Sequence, residues 1–315
     1  MKHNIKITII LLSLFLITQF IGLFVVHTYF QEKNALPFGM QSPEIKEEIS
    51  FWAILPSIIF SFIIAIALIF LLSKYRWNFL IKFWFFSVVL LALGVAINSL
   101  FLYFKIFQEN FSFFIWNSPL SWFISFLIAL PLSYIKVYRP RVILHNLTEL
   151  FIYPGIACVF IPILNVYTII LILILISIYD IWAVWHSGIM QKMAHYQMQE
   201  LKIFGGLLIP YLNKKIRNQL RILKTIKQKS KAKNFAKKIK VQMAILGGGD
   251  IVFPIITAGV FFQKYGFVSG LFVTFGALAG LTYLLLISKK KKFYPAMPFI
   301  TAGIFISLLI WKFLF

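Results

Sequence analysis

Apolar runs of about 20 residues or more, parted by short polar stretches, fill most of the chain, and a helix of that length is what a bilayer core requires. The pattern predicts nine membrane-spanning helices: Ile7 to Phe30, Phe51 to Leu72, Phe79 to Phe104, Phe111 to Ile135, Leu147 to Ile163, Asn165 to Trp185, Val241 to Phe262, Phe267 to Ile287 and Tyr294 to Phe315. Only Pro162 to Asn165 divides the fifth from the sixth. The first run is long for a signal peptide and is followed by no small-residue cleavage site, so it reads as a retained helix. The expected fold class is all-α, a polytopic membrane protein.

One sizeable polar segment, 187–240, interrupts the pattern. It divides the chain into an N-terminal five-helix membrane scaffold (1–164) and a four-helix membrane region (165–315) that contains it as a basic linker. Within it, Leu201 to Leu212 is apolar but broken by Gly205, Gly206 and Pro210. Such a piece is too interrupted to span, and is expected at the interface or as short extended segments beside the entrance of a site. The eighth span carries Gly266, Gly270, Gly276 and Gly280 in two small-xxx-small pairs, a spacing that permits close helix approach.

Charge fixes the orientation. With the N-terminus cytoplasmic, 26 of the 31 Lys and Arg fall on the cytoplasmic side, so the positive-inside rule predicts N-in, C-out. Overall, 61% of residues are hydrophobic and 13% charged, which leaves no folded soluble module to use the formal charge of +22 on nucleic acid. The dense run Lys224 to Lys240 is expected to be a solvated linker drawn to anionic lipid headgroups. The single Cys158 precludes an intrachain disulfide or a multi-cysteine metal site, and reads as a small buried hydrophobe. The expected location is the cell membrane, multi-pass.

Candidate chemistry comes from acids where acids are costly. Asp180 and Asp250 are the only aspartates and fall inside apolar stretches, whereas the glutamates lie in loops or, for Glu149, near a helix end. With a helix starting at Val241, Asp250 would lie about nine residues, roughly 14 Å, from its cytoplasmic end, a depth Asp180 can match. Two facing carboxyls in low dielectric hold one proton between them, and such a pair can act as acid and base on one water, with no metal or cofactor. Gly247, Gly248 and Gly249 leave room beside Asp250, and Pro254 withholds the N–H that would bond the Asp250 carbonyl. Pro295, Ala296, Met297 and Pro298 open the last span as an extended segment able to hold substrate by strand addition. Buried acids also suit a proton- or cation-coupled transporter or channel, but such proteins commonly carry internal repeats, and none is evident here.

Tyr179-Asp180, Gly247-Gly248-Gly249-Asp250 and Pro295-Ala296-Met297-Pro298 resemble, in order and spacing, the YD, GxGD and PAL signatures of the presenilin and signal peptide peptidase family of intramembrane aspartyl proteases. The similarity is greatest to its archaeal presenilin-like members. The resemblance implies that Asp180 and Asp250 are the catalytic pair, that Tyr179 supports Asp180, and that Pro295 to Pro298 shape the site and contact substrate. Transmembrane helices or signal peptides are the implied substrates. Gly248 stands where a leucine is common, and Met297 replaces the leucine of PAL. The Lys-rich linker lacks an apolar insert resembling presenilin's self-cleavage plug, which implies an intact chain active without accessory subunits.

Overall fold

The computed structural model describes residues 5–31, 56, 60, 64, 78–107, 110–113, 116–187, 203–211, 242–288 and 294–315. The expected second span, apart from three positions, and the run Lys224 to Lys240 lie outside the described residues.

Helix α1 covers Ile5–Val26 and closes with a π-helical turn, His27–Gln31. Helix α2 is Asn78–Tyr103. A small hairpin of β1 (Asn110–Phe113) and β2 (Trp116–Pro119) then leads into α3, Leu120–Tyr138. The expected fourth span therefore begins as strand, and its helix starts only after Pro119, a residue without an N–H that suits the position before a first helical turn. Helix α4 is Val142–Phe160 with a 3-10 turn at Ile161–Ile163, and α5 is Val166–Trp182 with a π-helical turn at Ala183–Ser187. The break between them falls where expected: the Asn165 side chain accepts the Thr168 N–H at 2.8 Å and caps α5.

The largest departure from expectation concerns the predicted seventh span. Residues Gln242–Gly247 form a strand, β4, paired antiparallel with β3, Gly206–Tyr211, and the helix α6 begins only at Gly248 and runs to Tyr265. Three successive glycines are poor helix formers, and β3 supplies an alternative set of backbone partners, so the chain enters the helix late. The extended reading of the segment around Gly206 holds. The all-α expectation is corrected to a predominantly helical fold with two short antiparallel strand pairs among the described residues.

Helices α7 (Phe267–Ile287) and α8 (Met297–Leu314) complete the described fold. They meet through Gly276, Gly280 and Gly303: a Cβ at Gly280 would collide with the Phe299 carbonyl, and one at Gly303 with the Gly276 carbonyl. The glycine spacing seen in the eighth span thus sets a backbone-to-backbone contact. Among the described residues seven helices, α1 to α5, α7 and α8, are long and apolar enough to cross a membrane. The main core draws on α1, α4, α5, both strands of the β3–β4 hairpin, α6, α7 and α8, while α2 and α3 pack in a separate cluster against α4.

Candidate active site

Asp180 lies two residues before the end of α5 and is 7% exposed. Its carboxyl is held from across the core: the Met297 N–H donates to Oδ2 at 3.0 Å, and the Ala296 N–H faces the same group. Met297 and Pro298 are the first two residues of α8, and Pro295 is buried just before them. The expectation of an extended Pro295–Pro298 segment is corrected: Ala296 is already in the right-handed helical region and Met297 and Pro298 form the start of α8, where a first turn accommodates proline, and the Met297 N–H serves the aspartate and is not free for substrate. Hydroxyls reinforce the α5–α8 contact one turn away, where Ser177 pairs with Thr301 at 2.9 Å. Tyr179 is exposed, its ring 6.3 Å from that of Trp182.

Asp250 occupies the third position of α6, not the ninth of a longer helix, because the preceding residues are strand. Its carboxyl turns back to the backbone of Gly247, the residue that caps α6, in the manner of an acidic side chain closing a helix start. A Cβ at Gly247 would sit 3.2 Å from Asp250 Oδ2, and one at Gly249 would meet nothing nearer than Phe253 at 3.9 Å. The helix N-terminus itself favours negative charge at this position. Pro254 lies inside α6 and withholds an N–H from the Asp250 carbonyl. On the adjacent carbonyl, Gln19 of α1 donates its Nε2–H to Ile251 at 3.1 Å, entirely within the core. Asp180 and Asp250, 70 positions apart in sequence, are brought close enough that the Asp180 charge acts on the Asp250 carboxyl.

A second polar cluster, beside the hairpin, overturns the expectation that only the aspartates are deep. Glu149 of α4 is 1% exposed and Lys136 of α3 is 4% exposed, and the two form a buried ion pair. His145 sits one turn from Glu149, 3.3 Å from the Lys136 ammonium through Nδ1. Tyr153, a further turn along the same face, packs its ring over Gly248, where a Cβ would lie 2.8 Å from the hydroxyl and 2.9 Å from Cε1. That hydroxyl is buried, lies in the field of both Glu149 and Asp250, and has no hydrogen bond of ordinary geometry among the described residues. The sequence carried a signal for this face, since residues 145, 149 and 153 recur every four positions within one apolar span. Lys136 was harder to place, because it joins them only through the turn at Arg139-Pro140-Arg141.

The comparisons bear on this geometry directly. A family model described as signal-peptide peptidase, presenilin aspartyl protease matches residues 12–315. Among solved structures, a presenilin family intramembrane aspartate protease in a C222 space group superposes with a TM-score of 0.57 at 14% identity, covering 98% of this chain and 99% of that one. A presenilin family intramembrane aspartate protease in a P2 space group gives the same TM-score at 15% identity, with 97% of each chain covered. No curated protein matches the sequence. The family match covers the helices before residue 165 as well as the motif-bearing half and favours peptide hydrolysis over the ion-relay alternative. This multi-pass membrane protein belongs to the signal-peptide peptidase and presenilin family, and is an intramembrane aspartyl protease acting on transmembrane substrates.

Proposed function

We propose that Asp180 and Asp250 share one proton and work together on a single water. The ionised carboxylate takes a proton from the water as its oxygen attacks the scissile carbonyl. The protonated partner hydrogen-bonds the developing oxyanion, and the leaving amine is protonated as the C–N bond breaks. The observation that carries this reading is the pairing itself. Two acids, from α5 and α6, come within electrostatic reach, each held by backbone N–H groups from a segment the sequence motifs single out, Met297 for Asp180 and Gly247 for Asp250. Two carboxyls suffice for the chemistry, with no metal or cofactor.

The substrate is held as a strand along β4. Leu208 of β3 directs both its N–H and its C=O away from β4, so its cross-strand partner Ile245 directs its own pair outward on the opposite edge, in the alternation of an antiparallel ladder. Ile245 is 41% exposed and lies five residues before Asp250. A peptide adding there gains main-chain hydrogen bonds next to the carboxyls.

The full topology in this reading has nine spans with the N-terminus cytoplasmic and the C-terminus outside, the seven described spanning helices being joined by α6 and the run 51–72. Residues 165–315 carry the chemistry and 1–164 the scaffold. The linker segment Lys224 to Lys240 binds anionic lipid headgroups, the chain acts without an obligatory accessory subunit, and signal peptides are substrates alongside other transmembrane helices. Tyr179 supports Asp180. The test is cleavage of a single-span substrate by purified protein, with wild type compared against Asp180→Asn and Asp250→Asn. Both variants are expected to lose peptidase activity, and cleavage retained by either one removes that aspartate from the mechanism.

A further inference from the structure

The cluster on α4 contributes no acid or base to the reaction, yet it holds the most deeply buried charges described outside the aspartate pair. What it touches is the β3 strand. Asn146 uses its whole amide on one residue: Oδ1 accepts the Leu208 N–H at 2.9 Å and Nδ2 donates to the Leu208 carbonyl at 2.7 Å. A side chain so placed does what a neighbouring strand would do. Two residues earlier along the same edge, the Gly206 carbonyl lies 2.8 Å from His145 Nε2. The lysine ammonium only donates, so His145 Nδ1 accepts from it and Nε2 carries the hydrogen that Gly206 receives. Lys136 thereby selects the tautomer that can plug the strand, and Glu149 balances the lysine charge.

We propose that His145 and Asn146, oriented by the Lys136–Glu149 pair, are positioning residues that seal the outer edge of β3 and leave β4 as the one edge of the hairpin on which substrate can pair. Given the peptidase reading above, the seal keeps substrate on the edge beside the carboxyls, and the anchored hairpin sets the register of cleavage. A hairpin has two edges, and both present unpaired backbone groups to an incoming strand. A peptide added to β3 would lie a strand further from Asp250, with β4 between them. Sealing that edge removes the unproductive mode without touching the carboxyls. The seal also fixes the hairpin to α4, and from there to the catalytic loop: Gly206 pairs with Gly247, the Gly248 N–H donates to the Gly205 carbonyl at 3.2 Å, and Gly247 holds the Asp250 carboxyl. Gly206 is suited to this junction, because its φ of 150° lies where side chains are rarely found and a Cβ would collide with the Leu246 carbonyl.

The experiment uses the full chain in detergent with a single-span substrate, reading kcat, KM and, by mass spectrometry, the bonds cut. Asn146→Leu keeps the branched outline of the side chain and deletes both bonds to Leu208. Substrate pairing unproductively on the opened β3 edge is expected to lower kcat and KM together, each by up to roughly tenfold, with kcat/KM moving less, and additional cleavage positions should appear as the hairpin loses its anchor to α4. His145→Leu should behave in the same direction, and His145→Gln, which restores an N–H at the Nε2 position, should recover part of the single-site pattern that His145→Leu loses. A purely structural role would lower the yield of folded protein without redistributing the cleaved bonds. If Asn146→Leu does not fold, Asn146→Asp, which keeps the acceptor for the Leu208 N–H and opposes the carbonyl, is read in its place; if neither folds, the pair serves folding and the proposal falls. Unchanged KM and cleavage sites in folded Asn146→Leu and His145→Leu also overturn it. A wild type without peptidase activity overturns the parent reading and this one together, whereas an active wild type with indifferent variants overturns this one alone.

Discussion

Replacing Gly248 tests whether the departure from the family pattern at this position is compensated by a specific neighbour. An alanine there places its Cβ 2.8 Å from Tyr153 Oη, 2.9 Å from Cε1 and 3.2 Å from Cζ, all inside ordinary van der Waals contact. The tyrosine has little freedom to yield, being 4% exposed and packed in the main core. Overpacking of this kind costs about 1–3 kcal/mol. Against it stands the reduced entropy of the unfolded chain, about 0.4–1 kcal/mol for Gly to Ala at a compatible backbone position, and Gly248 has no positive φ. The net expectation is a loss of about 1–2 kcal/mol in Gly248→Ala, and more in Gly248→Leu. Activity should fall further than stability, because the residue begins the helix that aims Asp250, and a displacement of about 1 Å at a reacting group costs on the order of 100-fold. Tyr153→Leu removes the ring and the clash together. The double variant Gly248→Leu/Tyr153→Leu should therefore be more active than Gly248→Leu alone, a coupling that a double-mutant cycle on kcat/KM and on thermal unfolding measures directly. Gly248→Ala indistinguishable from wild type, or single effects that simply add, would refute the reasoning.

Two further substitutions separate backbone roles from side-chain roles. Ile245→Pro removes an N–H that faces away from β3, so thermal stability should hold while KM rises about tenfold; Ala244→Pro, whose N–H faces β3, should instead lower the unfolding temperature. Equal effects of the two prolines would remove β4 from substrate binding. Met297→Leu installs the residue expected from the family signature and leaves the backbone N–H on Asp180 in place, so a nearly volume-conserving swap should cost less than about 1.5 kcal/mol and only a few-fold in kcat. A loss on the scale of Asp180→Asn would show that the Met297 side chain, not its N–H, carries the position.

The spans were legible because hydropathy reports length and composition, which is all that a bilayer asks of α1 or α7. Asp180 and Asp250 were legible because an acid in an apolar run has no ordinary explanation. The start of α6 was not, and the reason is physical. Gln242–Gly247 is apolar enough to pass for the first turns of a spanning helix, and only the presence of β3, over 30 residues upstream, turns it into a strand. Hydropathy has no term for a hydrogen-bonding partner across a long linker. Glu149 and Lys136 escaped for a related reason: each lies near the end of a predicted span, where a charge ordinarily reaches water, and their burial follows from the turn at Arg139-Pro140-Arg141 folding α3 back on α4. The role of Met297 was hidden in its backbone, since the group that meets Asp180 is an N–H common to every residue but proline.

Placing Asp250 at the third residue of α6 also changes the account of how a membrane helix can be cut. A transmembrane substrate keeps its backbone groups paired within its own helix, and opening it in lipid leaves each freed group several kcal/mol worse off. Hydrolysis requires an accessible, extended carbonyl, so the enzyme must offer replacement partners at the place where the helix opens. A carboxyl deep in a regular helix has no such partners nearby, because that helix has already spent its own N–H and C=O groups. A carboxyl that follows directly after a strand has them adjacent. Ile245 presents an N–H and a C=O outward on β4, and five residues on lies Asp250, within reach of the Asp180 charge. In the proposed mechanism, the strand that delays the helix supplies what an unwinding substrate loses, and the glycines between them let the chain pass from one geometry to the other while leaving room for a scissile bond.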